Sequence, residues 1–225
     1  PKEMMPIVDK PLIQYAVEEA VAAGVTDMIF ITGRNKRAIE DHFDKAYEIE
    51  SELAQRGRKD LLALIQKIIP KQVNCIYIRQ TEALGLGHAV LCAAAVIRDE
   101  PFGIILADEL IDAKPSAMRQ MVALYEKTQC SVLGVQNIPR SQTGSYGIVK
   151  VQAEGRLQRM TGIVEKPSPD KAPSTLAAIG RYVLTSRIFH HLAAIKPGAG
   201  GEIQLTDGIA SLLKEEKAYV QVIEG

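Results

Sequence analysis

The sequence predicts an α/β fold: a mostly parallel sheet flanked by helices, followed by a β-rich insertion. Two observations predict it. Between about residues 12 and 135, helix-period patterns alternate with short apolar runs, and repeated crossovers of that kind build parallel sheets covered by helices. From Gly144 the texture changes to short strands separated by glycine turns, as antiparallel hairpins require. The 225 residues, 47% of them hydrophobic, can bury a full core as one domain over 1–225.

The elements follow in order. After Lys10-Pro11, the residues Leu12, Ile13, Ala16, Val17, Ala20 and Val21 recur at helical spacing, and Gly24 supplies a stop. The apolar run 25–32 reads as a strand buried on both faces. Charged residues dominate 36–69, where Leu61, Leu62, Ile65, Ile68 and Ile69 keep helical intervals; two helices broken near Gly57 are expected. Strands at 73–78, 102–106 and 130–135 then alternate with helices at 88–96 and 115–127. Past Gly144, strands at 147–151 and 161–166 flank a turn at Gly155. Three prolines mark 167–173 as a surface loop. A strand at 177–184, helices at 186–195 and 203–214 and a strand at 220–225 complete the chain, with no internal repeat.

Composition excludes several classes of function. With 27 basic and 27 acidic residues the formal net charge is zero, and no basic run interleaves with aromatics, so nucleic acid is not the expected partner. Cys75, Cys92 and Cys130 lack the paired spacing of zinc or redox sites and read as reduced thiols of a cytoplasmic protein. No apolar stretch reaches membrane-spanning length.

Three places carry candidate chemistry. Gln80-Thr-Glu-Ala-Leu-Gly85-Leu-Gly87-His88-Ala-Val90 leaves a strand, turns through two glycines and opens a helix, so a ligand could approach bare backbone at a positive helix end. A glycine turn chosen only for geometry explains it equally well. The dinucleotide fingerprint fails because Val90 stands where the third glycine belongs. Asp108 follows a strand at the position where ligands of α/β sheets gather, and a carboxylate there suits a hard cation sharing oxygen ligands with phosphates. Glu109 and Asp112 read as exposed loop acids. Lys2 and Lys166 lie outside regular elements, where a solvated lysine is the ordinary explanation. Glu165 and Lys166 alternate along a strand, so only one could face a ligand without a local twist. His42, His190 and His191 read as surface or packing residues and His88 as a helix cap.

Taken together, the opening 1–15, Gln80 to Val90, Val164-Glu-Lys-Pro167 through Ile179-Gly-Arg-Tyr182, and Gly201-Glu-Ile-Gln-Leu-Thr-Asp207 resemble the bacterial UTP:glucose-1-phosphate uridylyltransferases within the sugar-phosphate nucleotidyltransferases. The resemblance implies a Rossmann-like nucleotide-diphospho-sugar transferase fold whose β-rich insertion binds sugar. It implies Mg2+-dependent reaction of UTP with glucose-1-phosphate to give UDP-glucose and pyrophosphate, in a homo-oligomer. Carried over residue by residue, Gln80 and the Gly85 backbone would read uracil with Glu3 nearby. Lys2 would face the phosphates and Asp108 would hold the metal. Tyr146, Gly147, Glu165, Gly180 and Glu202 would line the sugar, and Lys166 would grip its phosphate; Lys2, Asp108 and Lys166 are the catalytic set.

The resemblance also implies a first strand with a glycine-rich loop ahead of Pro1, and a C-terminal segment with a second metal-binding Asp beyond Gly225. Two alternatives stay open: a sister transferase for another base or sugar, such as a thymidylyltransferase, and a non-catalytic nucleotide-sugar sensor.

Overall fold

The structure is a computed structural model and describes residues 1–198 and 201–224. A 3-10 turn, Lys2–Met4, precedes a short hairpin of Pro6–Ile7 (β1) and Lys10–Pro11 (β2). Pro11 then caps helix Leu12–Ala22 (α1), its ring fixing the backbone for helix entry. α1 buries Ile13, Gln14, Val17 and Ala20, and Gly24 at φ +91° ends it as expected. Asp27–Thr32 (β3) follows.

The charged segment holds three helices rather than two: Arg37–Phe43 (α2), Tyr47–Gln55 (α3) and Lys59–Gln66 (α4). The break at Gly57, φ +65°, is where the sequence puts it. A second break comes at Asp44, whose extended backbone stops α2 after Ile39 and Phe43 are buried. α3 and α4 bury no residue fully, so no continuous apolar stripe holds the segment in one piece. Asn74–Arg79 (β4) then pairs with β3 in parallel over six rungs, Asp27↔Asn74 to Thr32↔Arg79.

Leu86–Cys92 (α5) opens at Gly85 and is offset at Ala93 from Ala94–Ile97 (α6). Phe102–Ile105 (β5), Ala117–Thr128 (α7) and Ser131–Asn137 (β6) match the expected elements. Gly147–Glu154 (β7) and Leu157–Glu165 (β8) form the hairpin of the β-rich insertion, turned at Gly155 with φ +63°. Leu176–Leu184 (β9), Ile188–Ala194 (α8), Leu205–Leu212 (α9) and Ala218–Val222 (β10) complete the described chain; Gly225, included in the expected last strand, lies outside the described residues.

The larger sheet runs β5-β9-β6-β10-β8-β7, and β7 returns to meet β9 at Ile148↔Ala177. The α/β class holds, but the expected mostly parallel arrangement gives way to a mixed one. Within this sheet β6 and β10 pair in parallel and the other pairings are antiparallel. The reason is β9, which returns between β5 and β6. Eight of its nine residues are buried, so it reads like a strand of a parallel sheet while its direction is opposite.

Side-chain alternation assigns the two faces. Leu133 of β6 and Leu184 of β9 pack with Ile188, Leu192, Leu205, Ile209 and Leu212 of α8 and α9. Val132 and Val183, one residue away, pack with Met118, Met121 and Leu124 of α7. A separate core joins α1 and α2 to β3 through Ile13, Val17, Met28, Ile39 and Phe43. The three cysteines are unpaired and partly buried.

Candidate functional site

Asp108 leaves the end of β5 and meets Lys2, from the turn before β1, across 106 residues of sequence: Lys2 Nζ donates to Asp108 Oδ2 at 2.6 Å. Both side chains reach solvent, at 66% and 43% exposure, so the pair stands open to a ligand. The Lys2 hydrogen bond holds the Asp108 carboxyl below its ordinary range, and the Asp108 carboxylate in turn pushes Lys2 up. Glu3, beside Lys2, is buried and takes the ammonium of Lys36 on Oε1 at 2.5 Å. Burial pushes Glu3 up, but Lys36 and a backbone N–H together leave it below the ordinary value. Its other oxygen, Oε2, is buried with no hydrogen-bond partner among the described residues.

Gln80 stands just past β4. Its Nε2 donates to the Gly85 carbonyl at 3.1 Å and to His88 Nδ1 at 2.9 Å. The turn between them needs its glycines: Gly85 sits at φ +90°, and a Cβ there would lie 2.9 Å from both Glu202 Cβ and the Ile203 carbonyl oxygen. Ile203 also ladders to the turn, its N–H donating to the Leu84 carbonyl at 2.8 Å while its own carbonyl accepts from Gly87 at 2.8 Å. Glu202 is thereby packed against the Gly85 turn, with its carboxylate accepting from Gln204 at 2.7 Å.

Tyr146, Gly147, Glu165 and Lys166 meet at one end of the β7–β8 hairpin, and Gly180 lies in β9. Gly147 pairs with Glu165 across the hairpin, and the Tyr146 carbonyl accepts from the Lys166 N–H at 3.0 Å. Lys166 adopts φ +43°, an uncommon backbone for a side chain, and this supplies the twist that strand alternation demanded. Glu165 and Lys166 accordingly reach each other, Nζ to Oε1 at 3.6 Å. Thr206 donates to the other carboxylate oxygen, Oε2, at 3.0 Å. Gly180, at φ +60° in β9, accepts from the Leu106 N–H at 2.9 Å, and a Cβ on it would strike Glu109 and Leu106 at 2.9 Å. Gly180 thus touches the loop that carries Asp108.

Several residues depart from the sequence reading or were absent from it. Glu109 is a half-buried side chain against Gly180 rather than an exposed loop acid, and burial pushes its carboxyl up; Asp112 is exposed as expected. His88 makes no cap; its ring accepts from Gln80 and so orients it. His191 is buried and His190 exposed, in line with a packing and a surface role.

Arg181 is the largest omission. Only 1% exposed, it pairs with Glu19 of α1 through Nε and Nη2 at 2.9 to 3.1 Å. It also donates to the carbonyls of Leu106, at 3.2 Å, and Glu109, at 2.8 Å, bracing the residues on either side of Asp108. A charge in the middle of an apolar strand was the available signal, since arginine is almost never fully buried unless paired. Lys36 and Thr206 had no such signal, because their partners lie 33 and 41 residues away.

For a metal, no group of three or more His, Cys, Asp or Glu side chains gathers among the described residues. Asp108 is a single exposed carboxylate kept ionised by Lys2. That fits a hard cation of the Mg2+ kind, which takes one or two protein carboxylates and draws its other ligands from phosphates and water.

Helices cover both faces of a mixed sheet, a glycine turn opens α5, and a strand-end carboxylate is paired with a lysine, an arrangement suited to a nucleotidyltransferase. The chain belongs to the Nucleotidyl transferase family, whose profile matches residues 1–225. Within that family it falls among the UTP–glucose-1-phosphate uridylyltransferases. It is 48% identical to the enzyme of that name from Bacillus subtilis (strain 168), over the whole of this chain and 77% of the relative. An apo UDP-glucose pyrophosphorylase superposes with a TM-score of 0.93 at 43% identity, over all of this chain and 83% of that one. A UDP-glucose pyrophosphorylase complexed with UDP-glucose superposes at 0.88 with 42% identity, with the same coverage.

Proposed function

We propose that this chain transfers a uridylyl group from UTP to glucose-1-phosphate, giving UDP-glucose and pyrophosphate. The observation that carries the reading is one continuous wall of contacts. It runs from Gln80 and the Gly85 turn, through Glu202 and Ile203, to Thr206 and on to Glu165 and Lys166. A backbone turn suited to a base and a carboxylate–ammonium pair suited to a phosphorylated sugar thereby share one support.

In this reading the turn reads uracil through the Gly85 backbone and Gln80, with Glu3 nearby. Tyr146, Gly147, Gly180 and Glu202 line the sugar, and Glu165 accepts its hydroxyls. Lys166 holds the sugar phosphate and Lys2 faces the phosphates of UTP. An oxygen of glucose-1-phosphate forms a bond to the α-phosphorus of UTP as the bond to the β-phosphate breaks, and pyrophosphate departs with that electron pair. The attacking oxygen is already anionic, so no side chain has to remove a proton. The chain's contribution is alignment and neutralisation of phosphate charge. Mg2+ held by Asp108 would supply part of that neutralisation.

The wider proposal is a cytoplasmic homo-oligomer. Unpaired thiols suit a reducing compartment, and no described helix is long and apolar enough to cross a membrane. Tyr47, Ile49 and Leu64 leave apolar surface exposed on α3 and α4, and sedimentation would count the subunits.

Pyrophosphate release tests the function, with UTP, glucose-1-phosphate and Mg2+ supplied together and each omitted in turn. Release that needs all three is the expected result. Release with dTTP but not UTP would make the chain a sister transferase, and binding of UDP-glucose without turnover would make it a sensor.

A further inference from the structure

Thr206 touches Glu165 but has no place in the chemistry described so far. It lies in the first turn of α9, is 6% exposed, and donates its hydroxyl to Glu165 Oε2 at 3.0 Å. Glu165 Oε1 lies 3.6 Å from the ammonium of the largely exposed Lys166, so Thr206 makes the shorter contact and holds the carboxylate at one oxygen. The methyl of Thr206 has its own neighbour: a Cβ on Gly147 would lie 3.0 Å from Thr206 Cγ2 and 3.5 Å from Glu165 Oε2. Thr206 cannot drift, because α9 is seated hard on α8. A Cβ on Gly208 would fall 2.5 Å from Leu192 Cδ2, and Leu205 is 2% exposed. Three residues before Thr206, Ile203 is laddered to Leu84 and Gly87 of the base-reading turn.

We propose that Thr206 is the positioning residue for the acceptor sugar. Its hydroxyl commits Glu165 Oε2 and so presents Oε1 to the sugar hydroxyls, its methyl closes the floor beneath Gly147, and Ile203 ties both settings to the Gly85 turn. A carboxylate fixed at one oxygen discriminates between hydroxyl configurations, because a misplaced hydroxyl leaves a polar group unpaired. Thr206 is therefore a determinant of which hexose phosphate is accepted. The inference rests on the reading of Glu165 as a sugar ligand.

The test compares Thr206→Val, which keeps shape and loses the donor, with Thr206→Ser, which keeps the donor. Thr206→Val is expected to raise KM for glucose-1-phosphate about tenfold, the scale of one charge-assisted hydrogen bond, and to leave KM for UTP within about twofold. Its preference for glucose-1-phosphate over galactose-1-phosphate should fall by a similar factor, while Thr206→Ser stays near the parent in all three readings. Gly147→Ala provides a second arm that leaves Thr206 unchanged: it should raise the same KM, and Thr206→Ser placed on it should recover part of the loss by removing the methyl. Parent values in Thr206→Val, or equal damage in Thr206→Ser and Thr206→Val, overturn the proposal. Should Thr206→Val not fold, a Gly147→Ala loss that Thr206→Ser does not relieve overturns it instead. Calorimetric binding of UDP-glucose to the parent separates the two ideas, since a parent that does not bind it removes the reading of Glu165 itself.

Discussion

Asp108 is held by its surroundings rather than by its own element. Lys2 meets its carboxylate, and Arg181 grips the carbonyls of Leu106 and Glu109 on either side. Replacing Asp108 with Ala should abolish Mg2+-dependent pyrophosphate release while circular dichroism and the thermal midpoint stay near those of the parent, because an exposed carboxylate contributes little to the core. The pair also sets a pH dependence. Asp108 titrates below its ordinary value chiefly because Lys2 donates to it, so its contribution to stability is present above the unfolded carboxyl value and is lost as pH falls through the folded one. A carbon-13 titration of the Asp108 carboxyl should show this low value, and Lys2→Met should move it upward; no movement would mean the hydrogen bond is absent in solution. At this scale the sequence displayed residues whose neighbours in the chain give a reason for them, such as Gly85 in its turn. It hid Thr206, Lys36 and the orienting role of His88, whose meaning lies entirely in distant partners.

Glu19 and Arg181 are where elements meet. Glu19 of α1 accepts from Arg181 of β9 and from the Met118 N–H at the start of α7, so one carboxylate joins two helices and a strand. With side chains 1% and 8% exposed, the pair is a buried one, and removing a single partner leaves the other charge without compensation. Arg181→Met should cost about 3–5 kcal/mol in denaturant unfolding; a loss under about 1 kcal/mol would show that the brace is not structural. Element identities and approximate bounds were legible from periodicity, β3 to β10 among them. Strand direction was not, because a strand buried on both faces has the same apolar run whichever way it points, and β9 shows the result. The third helix was missed for a related reason: α3 and α4 are exposed enough that their breaks follow local backbone geometry rather than an apolar pattern.

For the molecule as a whole, the candidate site draws on two of the three sheets: Gln80 follows the β3–β4 pair, while Asp108, Gly180 and Glu165 belong to the six-stranded sheet or its loops. A ligand spanning them should tighten the entire fold. UDP-glucose at a hundred times its dissociation constant is expected to add about 2.7 kcal/mol to unfolding, read as a concentration-dependent rise in thermal midpoint. No rise would place the nucleotide sugar elsewhere. The overall architecture was legible because the helix–strand alternation is global; the candidate site was legible only through the resemblance, since spacing alone left the glycine turn, the aspartate and the lysines with ordinary explanations. The three thiols carry a different consequence, one for the laboratory. Burial pushes Cys75, Cys92 and Cys130 upward, which leaves little of the reactive anion at neutral pH. A cysteine introduced at exposed Arg156, on the tip of the β7–β8 hairpin, should therefore take up a maleimide dye well before any native one, giving a protein with a single fluorescent handle at the hairpin end remote from Glu165 and no need to strip its own sulfur first.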